Sequence, residues 1–150
     1  MNPRRRLLAA APTVGVLLAL SACEKPAPIV TVVSGGESVY AEANTWCFDG
    51  QTAPDCASRH EGTTEVSVRG GETVGVDVDK ELAERGWYIE LSDPASPEEG
   101  AQPQRSEVQD GHYFSFTAPN LPPDGSLLLT VRSLNGETPT GQWSFLLVRR

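Results

Sequence analysis

The residues of this chain with the greatest chemical capacity are three cysteines, Cys23, Cys47 and Cys56, and two histidines, His60 and His112. A cysteine can act as nucleophile, metal ligand or half of a disulfide, and a histidine as base or ligand. Cys47, Cys56 and His60 together suggest a metal site. Zinc, however, favours closer cysteine spacing and a fourth ligand, and no second histidine lies nearby in the chain. Serine-hydrolase chemistry needs a nucleophile beside an oriented base, and no Gly-x-Ser-x-Gly turn occurs. A blue-copper site needs two histidines, a cysteine and usually an axial methionine, whereas the single methionine is Met1. Asp77 and Asp79 share one face of an expected strand and could form a carboxylate pair. With 20 acidic residues such pairs arise without any catalytic purpose. No Asp-x-Asp-x-Asp-Gly calcium loop and no phosphate-binding glycine loop is present. These residues give little ground for an enzyme, and no cofactor or metal is expected.

The fate of the cysteines depends on the compartment, which the N-terminus addresses. Arg4, Arg5 and Arg6 precede an apolar stretch over residues 7–20, and Leu20-Ser21-Ala22-Cys23 follows. Positive charge, an apolar run and small residues in that order mark a secretory signal peptide. The apolar run is too short for a hydrocarbon core that requires about 20 residues, and Pro12 and Gly15 interrupt it. Leu-Ser-Ala-Cys also matches the lipobox of bacterial lipoproteins, where the cysteine thiol takes a diacylglycerol and cleavage falls just before it. Cys23 is therefore the expected lipidation site, with residues 1–22 removed and residues 23–28 forming a short proline-containing tether. The expected location is the extracytoplasmic face of the cell membrane, held through the lipid. In that oxidising setting the two remaining cysteines, Cys47 and Cys56, are expected to pair as a disulfide.

Charge narrows the partners. The full chain carries net −8. Without Arg4, Arg5 and Arg6, nine basic residues face 20 acidic ones, a net −11. Nucleic acid demands a basic footprint and anionic lipid repels an acidic surface, so neither is an expected ligand of the protein face. Two acyl chains supply the stable anchoring that such a surface cannot.

The elements that must position these residues are strands. Apolar residues alternate at Val30/Val32, Val39/Ala41/Ala43, Val66/Val68, Val74/Val76/Val78 and Trp87/Ile89/Leu91, the period-2 pattern of half-buried strands. The same pattern returns at Phe114/Phe116, Leu127/Leu129/Val131 and Trp143/Phe145/Leu147. Val33-Ser34-Gly35-Gly36-Glu37-Ser38-Val39 echoes Val68-Arg69-Gly70-Gly71-Glu72-Thr73-Val74, and both read as tight hairpins. One short helix is expected over residues 79–85, with Asp79 as N-cap and Gly86 as terminator. Residues 92–111, rich in proline and acids, read as a long exposed loop. Residues 29–150 thus form one domain, expected to be an all-β, antiparallel immunoglobulin-like β-sandwich of about eight strands and one connecting helix. A small barrel is the alternative. Trp87 and Trp143 fit core positions, while Trp46 and Tyr88 are the aromatic candidates for contact with a partner.

Four segments carry a resemblance: Cys23-Glu24-Lys25-Pro26, Trp46-Cys47-Phe48-Asp49-Gly50 with Cys56 beyond it, Glu81-Leu82-Ala83-Glu84-Arg85-Gly86-Trp87, and Gln142-Trp143-Ser144-Phe145. Together they resemble a family of small actinobacterial lipoproteins of unknown function. The resemblance spans most of the chain after Cys23 and implies one exported domain, with no catalytic residues to carry over. The expected role is a non-enzymatic binding or assembly module of the cell envelope, with an envelope protein as partner. The alternative is a small-ligand carrier or hydrolase with a site near the cysteine loop.

Overall fold

Val30 and Val32 are fully buried and Ile29 is exposed, so the first strand, β1 (Ile29–Ser34), presents one side to a core and the other to solvent. In the computed structural model, which describes residues 25–48, 51, 56–95 and 102–150, this alternation organises the whole domain. The remaining strands are β2 (Glu37–Glu42), β3 (Thr45–Trp46), β4 (Ala57–Ser58), β5 (Thr64–Val68), β6 (Thr73–Val78), β7 (Trp87–Ser92), β8 (Gln104–Arg105), β9 (Tyr113–Thr117), β10 (Ser126–Asn135) and β11 (Thr138–Arg149). One sheet has the order β2-β1-β6-β9. The other runs β4-β3-β11-β10-β7-β8, with β5 also paired to β11. Their inward faces share a single cluster that includes Trp46, Trp87, Trp143, Phe145, Leu129 and Leu147.

The expected all-β sandwich is thus the fold found, with eleven strands among the described residues. Neither sheet closes on itself, which removes the barrel alternative. Each of the eight alternating segments coincides with a strand, with Ala43 just beyond the end of β2. The three additions, β3, β4 and β8, are two residues each, too short to show a period. One pairing departs from the antiparallel rule: β5 runs parallel to the last residues of β11, from Phe145 opposite Thr64 to Arg149 opposite Val68.

The glycine echo resolves into two different structures. Gly35 and Gly36, at φ 57° and 83°, close a true hairpin between β1 and β2. Only Gly71, at φ 81°, has positive φ in the second copy, and that copy joins β5 in one sheet to β6 in the other. It is an arch across the sandwich, which corrects the hairpin expectation. Glu72 ties the arch down: one carboxylate oxygen accepts from the Arg69 N–H at 3.0 Å and the Ser34 hydroxyl at 3.3 Å, binding the arch to β1.

The helix α1 (Lys80–Arg85) forms where expected. Asp79 caps it by accepting from the Leu82 N–H at 3.0 Å, and Gly86 ends it at φ 85°. Of the expected loop over residues 92–111, residues 96–101 lie outside the described residues, and the part after them is not a free loop. Gln104 and Arg105 return to pair with Leu91 and Glu90, and Gln109 bridges to Trp87. The segment folds back because it covers the outer side of β7.

Candidate functional site

The sandwich has two unlike ends, and they divide the residues of interest. At the first end lie the start of β1, the helix α1, the β10–β11 turn and the cysteine loop. The segment before β1 is fixed here. Lys25 Nζ stands 2.6 Å from Glu81 Oε2, and the Pro28 carbonyl accepts from the buried Trp143 indole N–H at 3.0 Å. Cys23, the expected lipidation site, and residues 1–22 lie outside the described residues, with Cys23 only two positions before Lys25.

Cys47 and Cys56 form the expected disulfide, with Cα atoms 4.5 Å apart. The strand pair β3–β4 brings them together by setting Thr45 opposite Ser58 and Trp46 opposite Ala57. The bond leaves no thiol there for a metal or a nucleophilic reaction. Asn44 ties the following segment down through its side-chain amide, which donates to the carbonyls of His60 at 3.1 Å and Gly62 at 2.8 Å. His60 is exposed. His112 is also exposed, and its Nδ1 lies 3.1 Å from the Val78 carbonyl at the close of β6. Among the described residues, no group of three or more His, Cys, Asp or Glu side chains is placed to hold a metal ion. Asp77 and Asp79 do not act as a pair. Asp77 stays on the exposed side of β6 opposite Tyr113, while Asp79 is engaged as the helix cap.

The two aromatic partner candidates are both covered. Trp46 is 1% exposed. Its ring packs 5.7 Å from that of Trp143, edge-on to Phe48, with the Arg85 guanidinium 4.7 Å from its centroid. Tyr88, on the outward phase of β7, is 4% exposed because Arg105 of β8 lies 3.6 Å from its ring centroid. The return of residues 102–111 buries a side chain whose strand phase pointed to solvent. Among the described residues, the exposed large apolar side chains are Ile29, Tyr40, Val108 and Tyr113.

The second end of the sandwich carries the hollows. It gathers the β1–β2 hairpin, the β5–β6 arch, the crossing over residues 118–125, and the last residues of β7 and β11. One hollow of about 470 Å³ opens between Leu91, Gln104, Thr117 and Leu127. A neighbouring hollow of about 440 Å³ shares Asp93 and Leu127 with it and runs along Pro122 and Pro123. A third, of about 420 Å³, shares Leu121 with the second and is lined by Arg69, Asn120, Arg149 and Arg150. The three form a broken groove around the proline-rich crossing. None of these residues has a catalytic spacing in the sequence. The one signal that points toward them is the pair of Gly-Gly turns, which brings its neighbours to this end.

The hollows contain no histidine or cysteine, and the disulfide, His60 and His112 lie at the opposite end. Compared with protein-family models, with curated proteins and with solved structures, the chain matches none.

Proposed function

We propose that this chain is a lipid-anchored protein of the outer face of the cell membrane, and that its β-sandwich is a non-enzymatic module for binding or assembly. It is of the actinobacterial lipoprotein kind that its sequence resembles. The observation that carries the reading is the opposition between tether and hollows. Lys25 and Pro28 are held at one end, and the grooved surface lies at the other. The six residues of β1 separate the two ends by about 20 Å at roughly 3.3 Å per residue. An acyl group on Cys23 would set the tether end against the membrane and turn the grooved end outward. Loops carried on a rigid sandwich are where such folds commonly meet ligands.

The test is site-specific photo-crosslinking in intact cells, together with mass spectrometry of the membrane-extracted protein. A probe at Gln104 or Leu121 is expected to trap a reproducible partner, and a probe at His60 to trap none. Cys23 is expected to carry a diacylglyceryl thioether as the first residue of the extracted chain. An unacylated Cys23, or no partner from either grooved-end probe, would overturn the reading.

A further inference from the structure

We propose that the hollow lined by Arg69, Asn120, Arg149 and Arg150 is a binding site for a phosphate monoester borne on a larger ligand. The first ground is charge. The chain carries net −8, and of the basic residues described only Arg69 and Arg149 lack a charged or aromatic partner, so their meeting with Arg150 at one hollow stands apart. Lys25 and Arg85 pair with Glu81, Lys80 with Glu84 and Arg132 with Glu90, while Arg59 and Arg105 lie over the rings of Phe48 and Tyr88. Arg150 is held in place by the Glu37 carboxylate at 3.3 Å and the Ser67 carbonyl at 3.2 Å. The guanidinium groups of Arg69 and Arg149 have no ion-pair or hydrogen-bond partner among the described residues.

The second ground is construction. The parallel pairing of β5 with β11 sets Arg149 opposite Val68, next to Arg69, so two distant parts of the sequence deliver their arginines to one place. The β5–β6 arch, fixed by Glu72, holds Arg69 there. Gly70 leaves room for the Asn120 side chain, with which any Cβ at that position would collide. The guanidinium is a planar fork of donors that matches phosphate oxygens, and the Asn120 amide adds a neutral donor. Arg150 shares its charge with Glu37, and the Glu72 carboxylate lies beside it, which leaves the guanidinium forks of Arg69 and Arg149 to receive the phosphate oxygens. The half-buried Leu121 in the same lining can receive an apolar portion of the ligand, and a hollow of about 420 Å³ has room beyond the phosphate. On a chain of net −8, a local cluster of positive charge is where an anion is drawn. Only the side from which the ligand arrives rests on the proposed orientation of the tethered domain.

The test uses the full chain in neutral detergent, labelled with nitrogen-15, and titrated at constant ionic strength with inorganic phosphate and separately with dihexanoyl phosphatidic acid. Saturable shifts of arginine Nε–Hε signals are expected, absent with chloride. The apparent affinity should fall about tenfold or more in R69A/R149A, the loss expected when charge-assisted hydrogen bonds are removed. R69K/R149K, which keeps charge and loses the forks, should also weaken binding, and K80A at the tether end should leave it unchanged. Tighter binding of the phosphatidic acid assigns the ester to a lipid, and equal or weaker binding assigns it to a water-soluble molecule. No saturable response to either probe, a response reproduced by chloride, or undiminished binding in R69A/R149A overturns the proposal. A crosslinked partner at the grooved end in the absence of phosphate binding would end this inference alone, whereas phosphate binding without a partner would leave it standing.

Discussion

Gly141 sits where three buried side chains converge. A Cβ at that position would stand 2.7 Å from Ser133 Oγ, 2.7 Å from Trp46 and 2.8 Å from Trp143, none of which has solvent to move into. Gly141→Ala is therefore expected to destabilise the fold by about 1–3 kcal/mol, the cost of overpacking a filled core. Urea denaturation would read this as a lower midpoint at unchanged slope, and an unshifted midpoint would contradict the packing. Trp143 shows a different constraint. Its ring fits the core, but its N–H must also be satisfied, and the Pro28 carbonyl satisfies it. A core residue thereby fixes the point where the segment before β1 enters the sandwich. Burial likewise decides the fate of Trp46 and Tyr88, whose residue types suggested contact with a partner and whose surroundings withhold them from solvent.

Among the elements, α1 illustrates agreement between local and tertiary signals. Its cap, its buried Leu82 and Ala83 and its terminating glycine are all adjacent in sequence, so the helix was legible before any tertiary contact was known. A helix of six residues gains little by itself and depends on its ends. Asp79→Ala is expected to cost about 1 kcal/mol through loss of the bond to the Leu82 N–H, again read from the denaturation midpoint. Asp79→Asn, which keeps an accepting oxygen, should restore most of it, and equal loss in both variants would argue against a capping role. The two Gly-Gly turns show how local signals can mislead. Their sequences are nearly the same, yet one closes a hairpin and the other crosses between sheets. The outcome depends on whether the following strand finds its partner beside it or in the opposite layer. β1 already has β2 on one side, so β6 takes the other, and β5 is left to pair with β11.

At the scale of the molecule, both sheets contribute to one core that holds all three tryptophans. Unfolding followed by tryptophan fluorescence and by far-ultraviolet circular dichroism should therefore give coincident transitions, as a single cooperative unit requires. Separate midpoints would mean that the two sheets part independently. The same architecture divides labour between the ends. One is occupied by the segment before β1, the helix and the disulfide, and the other is left with shallow hollows and the arginine cluster. Because the strands run the length of the sandwich, whatever is anchored at one end presents the other.

The eight longer strands, the disulfide pairing and the short helix were readable along the chain, because alternation, an even pair of cysteines and capping residues are local or compositional signals. The positions of β3, β4 and β8 were not, since two-residue strands exist only where a neighbour offers hydrogen bonds. The grooved end was equally silent. Arg69, Asn120 and Arg149 lie far apart in the chain and share no spacing rule, and only the parallel docking of β5 on β11 brings the two arginines to one hollow. Local chemistry, with a period of two or four residues, is written into the order of amino acids. Which distant segments meet is settled by how two sheets bury their faces together, and that is where the grooved surface of this protein was made.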